Sequence, residues 1–142
     1  MTRNFARADQ DSETGCILRV LIVDDAGALR ERLAEMLSQV SGLDIAGEAA
    51  NVAEALSAIR ELQPDLVILD LQLPDGNGLQ VLWEAKQNYA NMKVIILTNQ
   101  PEAQYKQRCA ALGADFFLCK STDSDLLVEI AETLTVSEGD PQ

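Results

Sequence analysis

The sequence lacks histidine entirely and has few aromatic residues: one Trp, two Tyr and three Phe among 142 residues. Without histidine the chain has neither the usual general base nor a phosphohistidine of its own. No apolar run approaches the roughly 20 residues that a membrane-spanning helix needs, and the polar N-terminus lacks the apolar core of a signal peptide. The three cysteines are scattered and form no Cys-x-x-Cys pair. We therefore expect no membrane anchor, disulfide framework or zinc site, and a reducing, cytoplasmic location.

Basic residues are also scarce. The chain has 11 Lys and Arg against 23 Asp and Glu, which gives a formal net charge of −12. This charge repels nucleic-acid phosphates and anionic lipids, so we expect no direct binding to nucleic acid or to a membrane surface. With 47% hydrophobic residues, the chain is long enough for one domain with a core of Leu, Ile, Val and Ala.

Two kinds of hydrophobic segment alternate along the chain. Short apolar or alternating runs predict five strands, at residues 20–23, 43–48, 66–69, 94–97 and 115–119. Between and after them, apolar residues recur at helical spacing and predict five helices. Their stripes include Leu33 and Leu37, Leu56 and Ile59, Leu82 and Trp83, Tyr105 and Cys109, and Leu127 and Ile130. Pro101 suits the start of the fourth helix and Gly113 its end, whereas Thr122 and Asp125 are spaced to cap the fifth.

The order of these segments predicts the fold class. Five strand–helix units with continuous apolar strands favour an α/β fold with a doubly wound, five-stranded parallel sheet, flavodoxin-like (βα)5, in the order 2-1-3-4-5. The alternating segment at 43–48 suits an edge strand. We interpret residues 1–16 as a flexible N-terminal tail, 17–136 as the domain, and 137–142 as a C-terminal tail or the start of a linker.

Polar residues follow four of the predicted strands. Asp24 and Asp25 follow the first, Asp70 the third, Thr98 the fourth and Lys120 the fifth. The carboxyl ends of parallel strands meet at one edge of the sheet, where ligands bind, so we expect these side chains to converge. Each alone is more often a turn, cap or solvated residue, but the set together favours a functional site.

Converging carboxylates need a cation. Two unit charges about 4 Å apart repel by about 4 kcal/mol at an effective dielectric constant of 20. Because oxygen ligands without His or Cys favour Mg²⁺, we expect a magnesium site at Asp24, Asp25 and Asp70.

The ordered set of motifs resembles the receiver domain of two-component response regulators, over about 19–134. The matching segments are Val20–Asp25, Asp65–Gly78, Val94–Thr98 and Gly113–Ser121. The resemblance implies that Asp70 is the phosphoacceptor of a signalling switch in a phosphorelay. The donor would be a sensor histidine kinase or a histidine phosphotransfer protein.

The resemblance also implies roles for the surrounding residues. Asp25 and Asp70 would hold Mg²⁺ directly with the backbone carbonyl of Gln72, and Asp24 would act largely through water. Lys120 would pair with the phosphoryl oxygens.

Two further residues would form the switch. Thr98 would reach towards the phosphoryl group and Phe117 would turn inwards behind it. The surface of helix 4, strand 5 and helix 5 would then change for a downstream protein, an output domain or a second copy in a homodimer.

Four positions depart from the family's usual pattern. Ser121 stands where Pro often follows the lysine, which leaves the geometry of the Lys120–Ser121 bond open. Phe117 lacks the hydroxyl of a Tyr. Asn99 and Gln100 are bulkier than the small residues often found after the threonine, and would restrict access to the site or tune hydrolysis.

Two other functions agree less well with the sequence. A magnesium-dependent phosphohydrolase of the haloacid-dehalogenase type could use Asp70 as its nucleophile, but usually carries a second Asp at the position of Gln72, and a cap insertion. A flavodoxin-like nucleotide binder would need a glycine-rich phosphate loop after the first strand. The cognate kinase, the downstream target and whether the receiver stands alone or belongs to a longer DNA-binding regulator stay open.

Overall fold

The computed structural model describes residues 17–99 and 103–139. The predicted tail at 1–16, Gln100 and the predicted helix start at Pro101 lie outside these residues. The sheet contains β1 (Leu18–Val23), β2 (Leu43–Ala49), β3 (Leu66–Leu69), β4 (Lys93–Thr98) and β5 (Phe116–Cys119). The helices are α1 (Gly27–Leu37), α2 (Val52–Leu62), α3 (Gly78–Asn88), α4 (Ala103–Ala111) and α5 (Ser124–Gly139).

All five strands are parallel and lie in the order β2-β1-β3-β4-β5, which confirms the predicted doubly wound sheet. The edge strand β2 is only half covered: Leu43 and Ile45 are half-buried, whereas Asp44 is exposed. After β3, two-residue strands at Gln72–Leu73 and Gly76–Asn77 form a short antiparallel hairpin.

The core consists of two hydrophobic layers, one on each face of the sheet. Because successive side chains of a strand point to opposite faces, Leu21 and Val23 of β1 join one layer, whereas Val20 and Ile22 join the other. The first layer packs against α2, α3 and α4, and the second against α1 and α5. The central strands are therefore buried on both sides.

The structure corrects the predicted stripe of α3. Leu82 is fully buried, but Trp83 is 51% exposed. A residue turns about 100° around a helix relative to its neighbour, and the buried face here passes through Leu79, Leu82 and Ala85. Trp83 therefore points away from the core.

The start of α5 also differs from the sequence prediction. Asp123 immediately precedes the helix, and its carboxylate accepts hydrogen bonds from the Cys119 N–H at 2.8 Å and the Thr122 hydroxyl at 3.3 Å. The predicted cap pair of Thr122 and Asp125 is replaced by this arrangement, in which Asp123 ties the helix start to β5. The helix ends at Gly139.

Gly113 ends α4 as predicted, with a φ of 103° that favours glycine. Within the described ranges, no helix is long and apolar enough to cross a membrane.

Candidate functional site

Three carboxylates meet at the carboxyl edge of the sheet. Asp24 and Asp25 follow β1, and Asp70 follows the neighbouring β3. The sheet hydrogen bonding extends one residue past each strand, because the Asp24 N–H donates to the Ala49 carbonyl and the Asp70 N–H donates to the Val23 carbonyl, each at 3.0 Å. One carboxylate oxygen from each of the three Asp residues lies within 4.8 Å of the others.

Lys120 joins this cluster from β5. Its Nζ lies 2.6 Å from Asp24 Oδ2 and 2.9 Å from Asp70 Oδ2. The Lys120 backbone N–H donates to the Thr98 carbonyl at 3.0 Å, which continues the β4–β5 pairing and places the lysine stem over the site. Because Lys120 balances one of the three negative charges, two remain among these four side chains.

Burial and charge act against each other at this site. Burial raises the pKa of Asp70, and the hydrogen bond and charge of Lys120 offset only part of that effect. Burial would lower the pKa of Lys120, but its hydrogen bonds and charge interactions with Asp24 and Asp70 outweigh it, so the pKa rises overall. Lys120 therefore stays an ammonium at neutral pH. Because Lys120 does not fully offset the burial of Asp70, a further positive charge beside the cluster would favour the ionised form of its carboxylates.

The loop after β1 is held by a contact that sequence reasoning missed. Arg30 of α1 donates from Nη1 to the Asp24 carbonyl at 2.5 Å and from Nε to Glu48 of β2 at 3.0 Å. The Ala26 N–H donates to Asp24 Oδ1 at 2.8 Å. Arg30 and Glu48 therefore support the loop of Asp24 and Asp25. Sequence alone gives no indication of this role, since both residues look like ordinary charged surface residues.

The loop after Asp70 is also tightly held. The Gln72 N–H donates to Asp70 Oδ1 at 3.3 Å, and the Gly78 N–H donates to the Leu71 carbonyl at 2.8 Å. A Cβ on Gly78 would lie 2.3 Å from the Asp70 carbonyl oxygen, so α3 can begin against this backbone only with glycine. Gln72 lies two residues from Asp70, at the start of the hairpin.

The predicted switch residues lie on β4, which neighbours β3 and Asp70, and on the edge strand β5 beyond it. Thr98 is the last residue of β4 and is fully buried, opposite Cys119 in the strand register. Phe117 of β5 pairs with Ile96 and packs, partly buried, on the core layer that includes Cys109 of α4. The Lys120–Ser121 peptide bond, which the sequence left open, is trans.

Comparison with known proteins gives the family. The family model described as the response regulator receiver domain matches residues 20–132. A Pseudomonas aeruginosa protein named as a transcriptional regulator is 42% identical over 111 residues, which cover 78% of this chain and 53% of that protein. This chain thus spans about half the length of that relative.

Solved structures agree with this result. A LuxR-family two-component response regulator from Aurantimonas has 27% sequence identity to this chain and a TM-score of 0.78. The match covers 87% of this chain and 88% of the Aurantimonas chain. A CheX–CheY–BeF3–Mg complex from Borrelia burgdorferi gives 25% identity and a TM-score of 0.76, covering 86% of this chain and 92% of the matched one. The strand order and the acidic cluster at the sheet edge agree with those predicted from the sequence motifs. Because the family model also matches most of the chain, this chain belongs to the response regulator receiver domain family.

Proposed function

We propose that this chain is a phosphoacceptor switch of a two-component phosphorelay, which takes a phosphoryl group onto Asp70 with Mg²⁺. The observation that supports this most directly is the position of Asp70. It lies among the clustered carboxylates and within 2.9 Å of the ammonium of Lys120. This arrangement offers an oxygen nucleophile together with positive charge for the phosphoryl oxygens.

The donor atoms of the site suit magnesium. The cluster offers carboxylate oxygens and keeps two negative charges after Lys120 is counted. Asp25 and Asp70 would bind the ion directly with the Gln72 carbonyl, and Asp24 would act through water. When bound, Mg²⁺ supplies positive charge that reduces the repulsion between the site and an incoming phosphoryl group. The Borrelia complex, whose name includes Mg²⁺ and BeF3, supports this choice.

Asp70 needs no histidine on this chain for the transfer. An ionised Asp70 oxygen forms the new bond to phosphorus while the phosphorus–nitrogen bond of a donor phosphohistidine breaks, and the electron pair stays on the donor imidazole. Lys120, which bridges Asp24 and Asp70 here, would move its ammonium onto the phosphoryl oxygens. The donor is a sensor histidine kinase or a histidine phosphotransfer protein.

The phosphoryl group would then change the surface formed by α4, β5 and α5. Thr98 lies at the end of β4 and would follow the new charge, and Phe117 would move inwards on β5. The partner on that surface is a downstream protein, an output domain or a second copy of this chain in a homodimer. An output domain agrees with the Pseudomonas relative, because the matched residues cover only 53% of that protein.

Intact-mass spectrometry after incubation with Mg²⁺ and a small phosphodonor tests the proposal. We expect the wild type to gain the mass of one phosphoryl group and Asp70→Asn to gain none. Asp44→Asn, which changes an exposed Asp on β2, is the matched control and should be phosphorylated normally. No adduct on the wild type, or an equal adduct on Asp70→Asn, would refute the proposal. Steady turnover of a phosphate ester without an adduct would favour the phosphohydrolase.

A further inference from the structure

Asp75 lies at the turn of the short hairpin and reaches another part of the molecule. Its Oδ1 accepts a hydrogen bond from the Val52 N–H at 2.7 Å, and its Oδ2 accepts one from the Ala53 N–H at 3.1 Å. Val52 and Ala53 are the first two residues of α2, where backbone N–H groups have no partner within the helix. A carboxylate from a distant loop therefore caps this helix.

The helix has a second cap from its own segment. The Asn51 side chain accepts a hydrogen bond from the Glu54 N–H at 2.8 Å. Asn51 and Asp75 thus serve the same helix end and bind different N–H groups. They differ in that the Asn51 side chain bonds to its own helix, whereas Asp75 connects the helix to the loop beside Asp70.

The electrostatics of Asp75 favour this contact. Hydrogen bonds from the backbone of Val52 and Ala53 lower the pKa of Asp75, which keeps it ionised at neutral pH. The partial positive charge at a helix N-terminus attracts the same carboxylate. Gly76 also lies close to α2, because a Cβ there would be 3.3 Å from Val52 Cγ2.

The other end of this loop contacts the phosphorylation site. The Gln72 N–H donates to Asp70 Oδ1, and the Gly78 N–H donates to the Leu71 carbonyl. The loop is therefore attached at Asp70, at the start of α3 and, through Asp75, at the start of α2. Without the Asp75 attachment, the hairpin would keep its strand pairing, its two ends and the buried Leu73 side chain, but lose its hydrogen bonds to α2.

We propose that Asp75 is a positioning residue. Its hydrogen bonds to the N-terminus of α2 hold the hairpin, and with it the backbone of Gln72, in place for metal binding at Asp70. The inference rests on the proposed function of the site. It adds that Asp75, which contacts neither the metal nor the phosphoryl group, sets the Mg²⁺ affinity.

Asp75→Ala and Asn51→Ala form a matched pair that tests this inference. Both variants remove a side-chain cap from α2, so both should lower the thermal unfolding midpoint. Only Asp75→Ala should weaken Mg²⁺ binding, by about tenfold in calorimetric titration, as for other residues that orient metal ligands. Phosphorylation of Asp75→Ala should be slow at low Mg²⁺ and recover at high Mg²⁺, which a general loss of stability would not produce.

A conservative variant keeps the test valid if Asp75→Ala does not fold. Asp75→Asn retains one accepting oxygen and should weaken Mg²⁺ binding less than Asp75→Ala. Wild-type affinity in folded Asp75→Ala or Asp75→Asn, or equal weakening in Asn51→Ala, would overturn the inference. Failure of the wild type to be phosphorylated while it binds Mg²⁺ would instead refute the proposed function, since the metal titration is read separately.

Discussion

Lys120 connects carboxylates that follow two different strands. Its ammonium contacts Asp24 after β1 and Asp70 after β3, and all three side chains are largely buried. Removing one member of a buried ion pair leaves the partner charge without compensation, which is strongly destabilising. Lys120 therefore stabilises the folded protein even when Asp70 is not phosphorylated.

We predict that Lys120→Met lowers the free energy of unfolding in a metal-free buffer by about 3 kcal/mol, because Asp24 and Asp70 lose their counter-ion. Added Mg²⁺ should restore part of the loss, and phosphorylation of Asp70 should be slower than in the wild type. Urea denaturation with and without EDTA measures the effect. Lys106→Met, at an exposed position of α4, is the control and should be nearly neutral. Wild-type stability of Lys120→Met in EDTA would contradict the prediction.

At the scale of secondary-structure elements, the junction between β3 and α3 determines where Asp70 lies. The helix begins at Gly78, whose backbone approaches that of Asp70 and Leu71 so closely that a side chain has no room. The close approach allows α3 to pack directly after the hairpin. Its buried face, with Leu79 and Leu82, then covers the sheet.

We predict that Gly78→Ala destabilises the protein by about 2 kcal/mol, as other overpacked sites do, because the backbone of Asp70 and Leu71 must move. The same movement should slow phosphorylation of Asp70. Thermal denaturation and intact-mass time courses measure both effects. Gly27→Ala, at the start of α1, is the matched control, since its Cβ would lie 3.6 Å from Arg30 Nη2, an ordinary contact. Equal stability of the two variants would refute the steric argument.

At the scale of the whole molecule, the acidic charge makes the fold sensitive to cations. The chain has a net charge of −12, and three of its carboxylates lie together at one sheet edge. A divalent ion that binds this cluster in the folded state, and not in the unfolded chain, stabilises the fold by mass action. Monovalent salt would only screen the charges.

We predict that Mg²⁺ at ten times its dissociation constant raises the free energy of unfolding by about 1.4 kcal/mol. NaCl at equal ionic strength should raise it less. Asp25→Asn should lose most of the Mg²⁺ effect, whereas Asp44→Asn should keep it. Differential scanning calorimetry measures these differences. An equal shift with NaCl, or an unchanged Mg²⁺ effect in Asp25→Asn, would rule out a specific site.

Local sequence patterns were enough to predict the order of the elements and the arrangement of the sheet. Continuous apolar runs indicate strands buried on both faces, and parallel strands joined by helices connect in a right-handed sense. Because the carboxyl ends of such strands share one edge, the positions of Asp24, Asp70 and Lys120 directly after strands already predicted that they would meet. These features depend on periodicity and chain order alone.

Only the tertiary structure decided which surface residues support the site. Arg30 binds the Asp24 carbonyl across six positions, and Asp75 caps a helix that begins 23 residues earlier. The exposure of Trp83 likewise depends on how α3 is rotated against the sheet. Such contacts depend on the relative positions and orientations of packed elements, which local hydrophobic spacing does not encode.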